Sequence, residues 1–229
     1  PLLGKDGEAP PDRPVGPVVV SCNANAVYYE IMNYQRDALR FFMDSGFSVV
    51  LFNYRGYGRS KGWPSPSSLM KDGEAVIEFL RRRNVTNILV HGRSIGGVVG
   101  CHMASRYPDV VKLLIADRTL DSLGKVAGIS FGQWAVQGLK LAGLYAENVP
   151  AFLNAKCTKV IINDPRDAII ADLASLKSGV ATQIVSHSNN ADLSSYGQFR
   201  DEDIQRFVSN WAFLEWLLEL FLKKLKIIF

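Results

Sequence analysis

The residues that build metal centres and disulfide frameworks are scarce in this 229-residue chain. It has three cysteines, Cys22, Cys101 and Cys157, and three histidines, His91, His102 and His187. No CxxC pair occurs and no histidine–carboxylate cluster has metal-ligand spacing, so neither a zinc site nor a disulfide scaffold is indicated. Odd, scattered cysteines read as buried free thiols, which fits a reducing intracellular compartment. No GxxxxGK[ST] is present. The GxG within Arg55–Gly62 runs into Trp63-Pro64 rather than opening a helix, so a phosphate cradle is missing and no cofactor is expected. Charge of either sign is not in large excess: 26 basic against 22 acidic residues leave +4. No basic stripe is interleaved with aromatics, which argues against a nucleic-acid partner. The run Arg81-Arg82-Arg83 suits the last turn of a helix, where cations meet the negative end of the dipole. No signal peptide opens the sequence, but it starts at Pro1 without a methionine, so a targeting segment is left undecided.

What is present is a core. Apolar residues make up 48% of the chain and charged residues 21%, the proportions of a globular domain. Residues 1–16 are Pro/Gly-rich and non-periodic, an extended arm; residues 17–229 are expected to form one domain. Short runs rich in Val, Ile and Leu predict strands near 17–21, 47–53, 86–90, 111–116, 158–162 and 182–186. Helical patterns lie between them, near 34–44, 68–82, 95–106 and 168–176. The runs do not alternate with polar residues, as expected of strands buried on both faces. The fold class is therefore α/β, a mostly parallel, doubly wound sheet with right-handed crossovers. About forty residues, 117–157, separate the fourth strand from the fifth and predict a short helical insertion over the sheet's carboxyl edge, where open parallel sheets bind ligands.

One serine stands out on this scaffold. Ser94, in "ILVHGRSIGG", follows a strand and precedes a helix, with Gly92 and Gly96 two positions to either side. A sharp strand-to-helix turn holds such a serine in a strained conformation and needs tiny residues at those two positions. The helix start then aims unpaired amides at the hydroxyl. A hydroxyl needs a base, and the base an orienting acid. His91 lies inside the strand and His102 two turns along the helix, so His187 is the candidate base, at the end of the last expected strand. Asp167 is the candidate acid, with Asp164 and Asp117 as competitors; turn aspartates of this kind often only fix a loop. The chain order Ser94, Asp167, His187 is the order expected for a nucleophile on this kind of turn. The oxyanion would be met by the backbone N–H of Ile95 and by one from the loop "SCNANA", at Asn23 or Ala24.

These pieces together resemble the α/β-hydrolase superfamily, in the branch of small serine hydrolases that includes the BEM46-like proteins and the protein depalmitoylases. "NYRGYGRSKGWPS", "HGRSIGG" and "DRTLDSL" carry the likeness, over about residues 16–213. The resemblance implies hydrolysis of an ester or thioester through an acyl-enzyme, with Ser94, Asp167 and His187 as its triad. Two departures accompany it: a cysteine-bearing oxyanion loop, and nothing before Val18 that reads as the fold's first two strands.

The tail, "FVSNWAFLEWLLELFLKKLKIIF", predicts an amphipathic helix over about 201–229. Its apolar face is broader than an ordinary surface helix needs, and charge interrupts it too often for a simple membrane span. A membrane interface or a protein partner is the expected cover, with Lys223, Lys224 and Lys226 at the polar boundary. Two functions follow as expectations: a serine esterase or thioesterase acting on acyl substrates, membrane-linked ones included, or a catalytically silent hydrolase-fold subunit serving as scaffold in a larger assembly.

Overall fold

The computed structural model describes residues 16–31 and 36–187. Residues 1–15 of the expected arm and the expected C-terminal helix near 201–229 lie outside the described residues. The chain divides into two compact units, Pro1–Thr182 and Gln183–Phe229.

Among the described residues, five strands form the sheet of the first unit: β1 (Val18–Cys22), β2 (Ser48–Leu51), β3 (Ile88–Arg93), β4 (Val111–Asp117) and β5 (Thr158–Ile162). Their order is β2-β1-β3-β4-β5 and every pairing is parallel. The centre is dry: Val18–Val20, Ile88–Val90 and Leu113–Ala116 are buried. That is why these runs lack polar alternation, since helices cover both faces.

The connections are α1 (Arg36–Asp44), α2 (Pro66–Arg81) and α3 (Ile95–Arg106). Helix α2 starts cleanly because Pro66 fills its first position and Ser65 and Ser68 form a reciprocal capping box. Between β4 and β5 run α4 (Leu123–Phe131), α5 (Gln133–Leu141) and α6 (Val149–Asn154), the helical insertion expected there. A short 3-10 turn, Asp172–Ala174, then leads to α7 (Leu176–His187).

Two expectations fail after β5. The helix expected at 168–176 is a loop with that 3-10 turn, and the strand expected at 182–186 is helical. The reason is a period misjudged. Leu176, Gly179 and Val180 are buried and Gln183 and Ile184 half-buried, a spacing of three and four that belongs to a helix. The Ser175 hydroxyl accepts the Ser178 amide and starts it.

Candidate active site

Everything at the junction of β3 and α3 is arranged around one strained residue. Ser94 has φ 54° and ψ −123°, a conformation side chains rarely adopt and one that costs about 1–3 kcal/mol. The surroundings hold it there. Its N–H donates to Asp117 O (3.0 Å), and its carbonyl accepts from Gly97 N–H (2.9 Å) and from Thr119 Oγ1 (2.6 Å). The hydroxyl makes no capping bond to α3, so it is not spent on the helix. The residue is half-buried.

The flanking glycines are required by close approach. A Cβ on Gly92 would run into the Gly96 carbonyl, and one on Gly96 into the carbonyl oxygens of Cys22 and Asn23. The second contact brings the loop after β1 against the first turn of α3, beside the Ile95 amide. Asn23 is buried there: its Nδ2 donates to Phe52 O (2.9 Å) and its carbonyl accepts from Tyr54 Oη (3.2 Å). The cysteine in this loop turns away from the site, since Cys22 Sγ packs on Met103 Sδ (4.0 Å). Burial pushes the Cys22 thiol up to about 12, so it stays protonated.

The three candidate acids differ in what already occupies them. Asp117 ends β4 and is buried; Arg118 donates to both its oxygens from Nε (2.8 Å) and a terminal nitrogen (2.9 Å), and His91 Nε2 lies 3.8 Å away. Burial alone would raise its pKa, but the neighbouring His91 ring and the hydrogen bonds from Arg118 outweigh that and hold the carboxyl well below its usual range. Asp164 and Asp167 lie in the loop after β5. Asp164 Oδ1 accepts Arg166 N–H (2.9 Å). Asp167 Oδ1 accepts the amides of Ile169 (2.8 Å) and Ile170 (3.0 Å), the loop-fixing use of a turn aspartate.

His91 is buried in β3 against Phe42, and His102 in α3 meets Glu74 (2.7 Å); neither stands at the serine. His187 is the last residue of α7 rather than the end of a strand, and its side chain lies outside the described ones. Thr119, Tyr54 and Tyr57 support the site without having been singled out from sequence. The tyrosines stand in "NYRGYG" and the threonine in "DRTLDSL", so the motifs pointed to them, but their bonds to Ser94 and to the Asn23 loop span tens of residues.

A cavity of about 790 Å³ opens elsewhere, between the end of β2 and α2, lined by residues that include Phe52, Arg55, Lys61, Trp63 and Asp72. None of Ser94, Ile95, Asn23, Ala24 or Asp167 borders it.

Comparison with known proteins gives this geometry a family. The profile of "Serine aminopeptidase, S33" matches residues 28–164, more than half of the chain. The chain belongs to this family of α/β-hydrolases. It is 38% identical over 96 residues to the α/β-hydrolase domain-containing protein WAV2 of Arabidopsis thaliana, covering 40% of this chain and 31% of that protein. It is 35% identical over 89 residues to the uncharacterized membrane protein YNL320W of Saccharomyces cerevisiae, covering 38% and 31%. Against the protein bem46 of Schizosaccharomyces pombe it is 34% identical over 86 residues, covering 36% and 29%. The chain thus spans less than a third of the length of these relatives. Among solved structures, the Pyrococcus furiosus esterase Pf2001 shares the fold, with a TM-score of 0.58 at 19% identity over 75% of this chain and 67% of that one. Among the described residues of this S33-family chain, no helix is long and apolar enough to cross a membrane.

Proposed function

We propose that this S33-family hydrolase is a serine esterase or thioesterase that works through an acyl-enzyme. The observation that carries the reading is the left-handed Ser94, locked between Gly92 and Gly96 at the start of α3. In this reading Ser94 Oγ attacks the acyl carbonyl carbon and His187 takes the hydroxyl proton. Asp167 orients the imidazole through its second oxygen, Oδ1 being engaged by the turn. The Ile95 amide and that of Asn23 or Ala24 meet the oxyanion. Collapse of the tetrahedral intermediate expels an alcohol or thiol, which leaves with the proton from His187. Water then repeats the sequence on the acyl-enzyme. Asp117 is the weaker acid candidate because Arg118 and His91 already hold it. The substrates we assign are acyl esters or thioesters, membrane-linked ones included, met in a reducing intracellular compartment.

A fluorophosphonate probe tests this directly. The folded wild type reacts, Ser94→Ala does not, and His187→Ala slows labelling by about three orders of magnitude or more. Folded protein that never labels overturns the reading. It would favour the second one, a silent hydrolase-fold scaffold, to which the helical α7 lends support by replacing the strand expected before His187.

A further inference from the structure

The loop offering the second oxyanion amide is tied down more heavily than a surface loop requires. Five hydrogen bonds join it to the chain around the end of β2. Tyr54 Oη donates to Asn23 O (3.2 Å), Asn23 Nδ2 to Phe52 O (2.9 Å) and Tyr57 Oη to Asn25 Oδ1 (2.7 Å). Tyr29 N–H donates to Asn53 Oδ1 (2.8 Å), and Asn53 Nδ2 to Glu30 Oε2 (2.7 Å). Between these anchors the chain turns at Ala24–Val27, closed by Val27 N–H on Ala24 O (3.2 Å), with Ala26 at φ 60°. Alanine persists in that conformation only where its surroundings impose it.

The direction of the donor follows from peptide geometry. The Ala24 N–H shares a rigid plane with the Asn23 carbonyl and points the opposite way. Tyr54 grips that carbonyl, whose oxygen also lies against Gly96. Fixing the carbonyl fixes the amide. Tyr54 is wholly buried, with its ring edge-on to Tyr57 at 5.4 Å and 87°. Tyr57 then reaches out to Asn25, an exposed residue that contributes nothing to the core. Burial pushes the Tyr57 hydroxyl up, against the opposing pull of the Ala26 backbone amide, so it remains a donor.

We propose that Tyr54 and Tyr57 are positioning residues for the oxyanion hole, with the Tyr57–Asn25 bond setting the aim of the Ala24 amide. This rests on Ser94 being the nucleophile. An oxyanion donor acts on the tetrahedral species and not on bound substrate, so loosening it lowers kcat and leaves KM alone.

The test uses the full chain. Tyr57→Phe keeps the ring contact with Tyr54 and deletes one hydroxyl. We expect it to slow fluorophosphonate labelling about tenfold, within the cost of a misaimed group. On a p-nitrophenyl ester it should lower kcat equally, with KM and melting temperature unchanged. Asn25→Ala should match it, the double variant should be no worse than either, and Asn25→Asp, which keeps the acceptor, should restore the rate. Hydrogen exchange at the amides of residues 23–27 gives a readout independent of chemistry, and Tyr57→Phe should speed it. Unchanged exchange overturns the clamp, and so does an unchanged labelling rate in an active wild type. A wild type that never labels while Tyr57→Phe speeds exchange keeps the clamp and sinks the hydrolase reading instead.

Discussion

Asp117 shows how a single residue can look catalytic and be committed elsewhere. It ends a strand at the carboxyl edge, next to the serine in space, and its backbone carbonyl holds the Ser94 amide. Its carboxylate, however, is enclosed by Arg118 and His91, and its pKa is depressed. A carboxyl whose folded pKa lies below its unfolded one stabilises the fold above roughly pH 4, and that stabilisation fades as pH falls towards the folded value. Asp117→Asn should therefore cost about 1–3 kcal/mol near neutral pH, the penalty of a buried partner left unmatched. In urea unfolding, the gap to wild type should narrow progressively below about pH 4. Labelling by a fluorophosphonate separates the roles of the aspartates. Asp167→Asn should slow it by orders of magnitude, whereas Asp117→Asn should slow it far less. The reverse ranking would move the acid to β4.

Helix α3 makes a comparable point one scale up, because identical substitutions along it should have different outcomes. Alanine is favoured over glycine in a helix by about 1 kcal/mol. At Gly100 the added methyl would meet Val90 Cγ1 at 3.1 Å and Leu114 Cδ1 at 3.4 Å, side chains able to give by a few tenths of an ångström. At Gly96 it would meet backbone carbonyls of the loop after β1, which have nowhere to go. Gly100→Ala should be nearly neutral in thermal melts, while Gly96→Ala should lose about 1–3 kcal/mol from overpacking. Equal melting temperatures would show that the loop is free to move. This same locality explains what sequence could reveal. The elbow is a contiguous signal, so the strained turn at Ser94 and the bounds of α3 were readable from it, as was the β5 run. The element after β5 was not, because "TQIVS" has strand composition while its burial follows a helical period set by Leu176, Gly179 and Val180. The tyrosine clamp was invisible for another reason: Tyr57 and Asn25 are joined by a hydrogen bond across thirty-two positions, which no local pattern records.

At the scale of the whole molecule, what remains is apolar surface without an assigned use. On α4 and α5, Phe131, Trp134 and Leu141 are 66%, 75% and 90% exposed, and α5 buries no residue at all. The C-terminal sequence adds a second apolar stretch, Trp211 to Leu222, broken by Glu215 and Glu219 and followed by Lys223, Lys224 and Lys226. Glu215, Glu219 and Lys223 recur every fourth residue, so on a helix they would share one face and leave the rest apolar. Apolar residues edged by lysines suit the interface of an anionic bilayer. Burying two leucines there is worth about 3–6 kcal/mol, more than a hundredfold in partitioning. The full chain should therefore sediment with anionic vesicles, and Leu214→Gln combined with Leu217→Gln, both opposite the charged face, should release it to the supernatant without changing its melting temperature. Were those leucines instead packed within the chain's own fold, the double variant would melt earlier and the wild type would never have sedimented.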